Sequence, residues 1–282
     1  MALAEPFLEQ TREEKKVTES RIRVDLRDGS SSMEQLFPRT SKIKAQVAAE
    51  SHLEFLKMRE SKNDRVSFWL FASFPHLVED FIIDDELYYQ QVEDAPWLIW
   101  GGDIEDWFKK NPNWHIPKER YGIVKGDGGG TDIVLALQAI IKYFDQDEKM
   151  LKGPSANTRK TKRSILVITD ADVNAFPKNE LEGLRKRNIR PYVIWIKSSA
   201  GSSPPEFAQR IREYGGEYFD VADENSLKRA YESINKIEST EIEITRKSFK
   251  LPLFQNFILM AIVVRVIAVL TTLLFEPFGI YP

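Results

Sequence analysis

The sequence predicts an α/β domain on one doubly wound, mostly parallel sheet, followed by one C-terminal transmembrane helix. Three observations predict it. Between residues 20 and 236, short apolar runs of strand character alternate with segments of helical period, the rhythm of a chain that winds helices over both faces of a sheet. Oxygen-bearing residues gather where two of those runs end, in "RDGSSSM" at 27–33 and "TDAD" at 169–172. Last, "FILMAIVVRVIAVLTTLLF" at 257–275 carries a single charge, and nineteen helical residues at 1.5 Å each make roughly 28 Å, close to the thickness of a bilayer's hydrocarbon core.

Composition narrows the function before any motif does. The 282 residues are 42% hydrophobic, enough for a packed core. With 40 basic and 43 acidic residues the net charge is −3, without the broad basic surface of a nucleic-acid binder. Cysteine is absent, which removes disulfides, thiolate zinc sites and thiol nucleophiles.

The elements follow in chain order. Residues 1–19, with the acidic "MALAEPFLEQTREEKK", read as an N-terminal extension and as neither a signal peptide nor a first span. "RIRVDL" is the first strand of a domain over 20–238. A central parallel strand is normally apolar on both faces, so Arg23, Asp25 and Arg27 predict one face left open or taken by a partner, with Arg27 able to swing toward Asp28. "TSKIKAQVAAESHLEFLKMRE" is a helix. "RVSFWLF" and "HLVEDFII", joined at Pro75, are two strands forming an antiparallel edge. Residues 93–125 hold Trp97, Trp100, Trp107 and Trp114 in a stretch with little regular period; such aromatics either fill core or meet a partner. A helix over 131–144, three strands in "SILVIT", "YVIWI" and "EYFDVA", and helices near 178–187, 205–214 and 224–236 complete the domain.

A juxtamembrane linker, 239–250, leads to the transmembrane helix at 251–276 and a tail at 277–282. Arg265, near mid-span, costs about 2.5–3.5 kcal/mol on insertion scales, and the surrounding Phe, Ile, Leu and Val side chains supply on the order of 3–5 kcal/mol in return. Insertion is favoured by a small margin; a buried core helix is the alternative. An arginine there is expected to face other transmembrane helices rather than lipid. Arg246, Lys247 and Lys250 before the span, against Glu276 after it, put the N-terminal domain in the cytoplasm.

The oxygen clusters are the candidate site. Asp28, Ser30 and Ser32 form D-x-S-x-S at the end of the first strand. Thr131 follows the glycines of "GDGGGT" and Asp170 ends "SILVIT". In a doubly wound sheet ligands bind at the carboxyl ends of the strands, where these three loops meet. Two carboxylates and three hydroxyls are hard ligands suited to Mg²⁺ or Mn²⁺, with coordination positions left for water or an incoming carboxylate. "GDGGGT" lacks the Lys-Ser/Thr pair of a phosphate loop. His52, His76 and His115 show no ligand spacing, and no general base is evident, so the chain reads as a binding protein and not an enzyme.

On these residues the sequence resembles the von Willebrand factor A domains, carried by "DGSSSM", "NDRVSFWLFAS", "GGGTDIVLAL" and "ILVITDAD" over roughly 20–238. That resemblance implies the same five residues as a metal-ion-dependent adhesion site. More narrowly, "VADENSLKRAYESINKIESTEIE" before a membrane helix is similar to the bacterial Bat-type and MoxR-associated membrane proteins. It implies a role in complex assembly at the bacterial inner membrane beside a MoxR-type AAA+ ATPase. A structural subunit of a large membrane complex, its metal site unused, is the alternative.

Overall fold

The structure is a computed structural model that describes residues 7–14, 21–60, 64–83, 85–151, 162–170, 173, 175–197, 203–221, 223–238, 245–252 and 254–275. In chain order the strands are β1 (Phe7–Glu14), β2 (Arg21–Asp28), β3 (Arg65–Phe71), β4 (Pro75–Ile82), β5 (Leu98–Trp100), β6 (Tyr121–Ile123), β7 (Lys162–Thr169), β8 (Ile189–Ile196), β9 (Glu217–Val221) and β10 (Thr245–Pro252). The helices are α1 (Lys44–Arg59), α2 (Asp85–Asp94), α3 (Ile104–Lys110), α4 (Ile133–Leu151), α5 (Lys178–Lys186), α6 (Glu206–Arg210), α7 (Glu224–Glu238) and α8 (Phe254–Phe275). Two compact units result: Thr18–Thr240, and Met1–Val17 together with Glu241–Pro282.

The larger unit is a six-stranded sheet of order β4-β3-β2-β7-β8-β9. All neighbours are parallel except β3 and β4, whose antiparallel register closes at Phe71 opposite Pro75. Proline without an amide donor suits that edge. The alternation of side chains across each strand sorts the core into layers. Val24 and Leu26 on β2, Ile165 and Val167 on β7, and Val193 and Trp195 on β8 pack with Ile133, Leu137, Ile140 and Phe144 of α4. Leu166 and Ile168, with Tyr192 and Ile194, point the other way and pack with Ala48 and Phe55 of α1 and Leu227, Tyr231 and Ile234 of α7. Fully burying one such side chain is worth about 1.5–3 kcal/mol, so both faces of β7 and β8 drive their burial.

The polar face of β2 is covered, contrary to the expectation of an open or partner-bound face. Arg23, Asp25 and Arg27 are almost wholly buried. Asp25 accepts hydrogen bonds from Arg23 Nε (2.5 Å) and Nη2 (3.0 Å), His52 Nε2 (2.9 Å) on α1, and Tyr88 Oη (3.0 Å) on α2. Asp64 pairs with Arg59 at 2.6 Å and Arg21 at 3.2 Å. Internal ion pairs of Arg21, Arg23 and Arg59 with Asp25 and Asp64 take the place of a partner here.

Residues 93–125 are also more regular than their sequence suggests. Parallel β5 and β6 pair Leu98 with Tyr121 and Trp100 with Ile123, and α3 lies between them in the chain. The aromatic rings pack tilted and edge-to-face: Trp107 lies 5.4 Å from Trp100 and 5.1 Å from Trp114, whose Nε1 donates to Tyr121 Oη at 2.9 Å.

The smaller unit holds an antiparallel ribbon. β1 pairs with β10 over eight residues each, from Phe7 opposite Pro252 to Glu14 opposite Thr245. Parts of the expected extension and linker are therefore strands; local patterning could not show that stretches over 230 residues apart pair. α8 lies within the segment expected as a membrane helix, though Leu251 and Pro252 belong to β10. Among the described residues no helix is long and apolar enough to cross a membrane. Residues 1–6, 15–20, 239–244, 253 and 276–282 lie outside the described residues, and with them parts of the extension, linker and span and the whole tail.

Candidate functional site

Successive parallel strands run from β2 leftward to β3 and from β7 rightward to β8. The chain's direction of winding reverses between β2 and β7, and a crevice opens at the carboxyl ends of such a pair. Asp28 closes β2, and Asp170 directly follows β7. Both are buried, as are Ser30 and Thr131.

Four of the five expected ligands form one hydrogen-bonded set. The Ser30 amide donates to Asp28 Oδ1 at 2.9 Å, the Ser30 and Ser32 hydroxyls are 3.1 Å apart, and Ser32 Oγ donates to Asp170 Oδ1 at 3.1 Å. Thr131 is brought to the same edge by its loop. Ser31 N donates to the Gly129 carbonyl at 3.0 Å, and Asp132 N to that of Ala72 at 2.9 Å. Among the described residues no hydrogen bond joins the Thr131 hydroxyl to the other four. Gly129 has φ of +66°, a conformation glycine adopts without penalty.

Several residues that shape this edge carry no local signal in the sequence. Asp127 is the anchor of the glycine loop: its carboxylate accepts from the amides of Gly129 (2.9 Å), Ser73 (3.2 Å) and Phe74 (3.3 Å) and from His76 Nε2 (3.1 Å). Burial works against its ionisation, but these donors outweigh burial and hold the carboxyl below the usual range. Thr169 Oγ1 donates to Asp28 Oδ2 at 2.6 Å. Lys44, wholly buried at the start of α1, places Nζ 2.9 Å from Asp170 Oδ2 and 2.8 Å from Gln35 Oε1. In sequence it is one lysine of a helical segment.

Burial, and next the charge of Asp170, push the Asp28 carboxyl up to about 7, against hydrogen bonds from Ser30 and Thr169. Arg27 does not turn toward it. Its Nη2 donates to the Pro96 carbonyl at 2.9 Å and its guanidinium lies over the Phe68 ring, while burial lowers it to about 10. Two carboxylates with three hydroxyls fit a small hard cation: Asp28 and Asp170 would supply charge, and Ser30, Ser32 and Thr131 neutral oxygens. Among the described residues no group of three or more His, Cys, Asp or Glu forms a metal cluster, so a cation here would rest on the hydroxyls as much as on the acids.

The tryptophan segment borders this edge. Ile99 N donates to the Gly29 carbonyl at 2.8 Å and Val124 N to that of Trp100 at 2.8 Å. Trp97, Trp100, Trp107 and Trp114 are each half-buried, and Trp97 carries the Arg120 guanidinium 4.7 Å from its ring centroid. Arg265 lies apart from the site in sequence, on α8, beside a shallow hollow lined by Met260, Ala261, Val264 and Ala268.

A doubly wound sheet with one antiparallel edge and an oxygen site at its switch point is the von Willebrand factor A fold. Solved structures agree on the fold. BatB from Bacteroides thetaiotaomicron superposes with a TM-score of 0.52 at 15% identity, over 78% of this chain and 100% of that one. An aerotolerance-related membrane protein from Bacteroides fragilis gives 0.50 at 16% identity, over 77% and 99%. A von Willebrand factor type A structure from Catenulispora acidiphila gives 0.50 at 12%, over 83% and 50%. No family model and no curated protein matches the sequence.

Proposed function

We propose that this chain is a membrane-anchored, metal-dependent protein-binding module that captures a partner's carboxylate through Mg²⁺ or Mn²⁺ and carries out no catalysis. The observation that carries this reading is the hydrogen-bonded set of Asp28, Ser30, Ser32 and Asp170 at the reversal between β2 and β7. On this reading the larger unit lies on the cytoplasmic side of the bacterial inner membrane and acts in assembly or stabilisation of a complex, with a MoxR-type AAA+ ATPase as a neighbour. The half-buried tryptophans beside the site offer a second contact surface. For the anchor, the support is the single charge within residues 257–275 and the exposed Met260, Ile262, Val263, Val264, Val266, Ile267, Val269 and Leu270 of α8. Ala261 and Ala268 flank Arg265 in the hollow, and small residues let another transmembrane helix approach closely.

Calorimetry on the full chain in detergent tests the metal. Wild type is expected to bind Mg²⁺, and Asp28→Ala and Asp170→Ala to lose that binding while keeping a cooperative melting transition. Equal affinity in all three proteins overturns the proposal. A second reading, a structural subunit whose site takes no metal, is favoured by one observation: the Asp170 carboxylate already has the Lys44 ammonium at 2.9 Å. Absence of Mg²⁺ binding in folded wild type supports it.

A further inference from the structure

The oxygen site contains a positive charge of its own. Lys44 is the first residue of α1, and its amide donates to the Gln35 carbonyl at 2.8 Å. A bridge between Leu36 and Ile43 closes the intervening loop. The lysine is thus held where it enters the core, and its buried side chain runs inward to Asp170. The two oxygens of that carboxylate face different groups: Oδ2 the ammonium at 2.9 Å, Oδ1 the Ser32 hydroxyl at 3.1 Å.

A lysine serving only to neutralise a buried acid has no need of a hydroxyl set beside it. A cation site, for its part, gains nothing from a fixed positive charge on one of its two acids. Both occur on the same carboxylate. Like charges in a partly desolvated site repel strongly, because the effective dielectric is far below that of water. Ammonium and divalent ion therefore draw on one acceptor, and each weakens the hold of the other.

We infer that Lys44 is a tethered cation that competes with the divalent ion for Asp170, so that metal enters by displacing the ammonium and binds more weakly than the oxygen set alone would allow. This inference rests on the metal reading above. It adds that an internal ion pair between Lys44 and Asp170 is built into the site.

The test is Mg²⁺ titration of the full chain in detergent, comparing wild type with Lys44→Met, which keeps the apolar length, and Lys44→Gln, which keeps a donor. Both variants are expected to bind Mg²⁺ roughly tenfold tighter or more. Measurable binding in the variants but none in wild type overturns both the displacement of Lys44 by metal and the metal reading of the natural chain. Equal affinities overturn the inference and leave the metal reading intact. No binding in any folded protein overturns both. Should neither variant melt cooperatively, amine-acetylation footprinting of wild type decides. Lys44 is expected to be protected without Mg²⁺ and to become reactive at saturating Mg²⁺; continued protection there sinks the competition.

Discussion

Asp25 sits at the centre of a polar cluster that a central strand would ordinarily exclude, and with His52 it adds an acid-sensitive component to the domain's stability. Burial alone would raise its pKa, but the charge of Arg23 and the His52 hydrogen bond hold it well below the usual carboxylate range. Burial likewise lowers His52, against the pull of Asp25. Both groups bind protons more readily in the unfolded chain than in the folded one. Their contribution to stability is therefore complete above about pH 6.5, begins to fall below it as unfolded His52 protonates, and falls further below about pH 4 through Asp25. In melting temperatures measured from pH 8 to pH 5, His52→Gln is expected to start lower than wild type but decline less; parallel curves would exclude the histidine. At this scale the sequence was partly legible. Asp28 and Asp170 could be placed because each ends a recognisable strand, whereas Lys44 and Asp127 act through side chains whose reach across the fold no local pattern encodes.

Among the elements, the six strands of the sheet, their antiparallel edge and the helices between them were readable because each carries its own period and punctuation. Helix α2 and the stretch after it were not read, and β5 and β6 are three residues each, too short to show alternation. Their role is nevertheless sharp. A Cβ on Gly101 would fall 1.6 Å from the Asp127 carbonyl oxygen, so the end of β5 presses on the glycine loop with no room to spare. Gly101→Ala must push the two apart, and a rigid backbone neighbour makes that cost about 1–3 kcal/mol. Because Asp127 also holds the Gly129 and Ser73 amides, the displacement is expected to carry Thr131 with it. Calorimetry should then show Mg²⁺ affinity reduced in folded Gly101→Ala; unchanged affinity would mean the segment is only a neighbour of the site.

For the whole molecule, the proposed anchor makes a prediction through its one charge. An arginine facing lipid near mid-span is the costlier arrangement, and snorkelling from there has to cover about 14 Å, so a helix of another subunit is expected to hold Arg265. Arg265→Leu should improve insertion of α8 and yet reduce co-purification of native partners from gently solubilised membranes; equal recovery would shift the contact to the tryptophan-bearing surface. The β1–β10 ribbon has a further consequence. Its register sets Glu14 opposite Thr245, so everything from residue 15 to residue 244 is, in topological terms, the loop of a β-hairpin. Residues 14 and 245 are partners in the ribbon, and adjacent ends are the arrangement protein engineers seek when they splice one domain into another. A short Asn-Gly turn in place of that loop would close the same hairpin, which makes the ribbon complete in its own pairing whatever sequence is inserted between its strands.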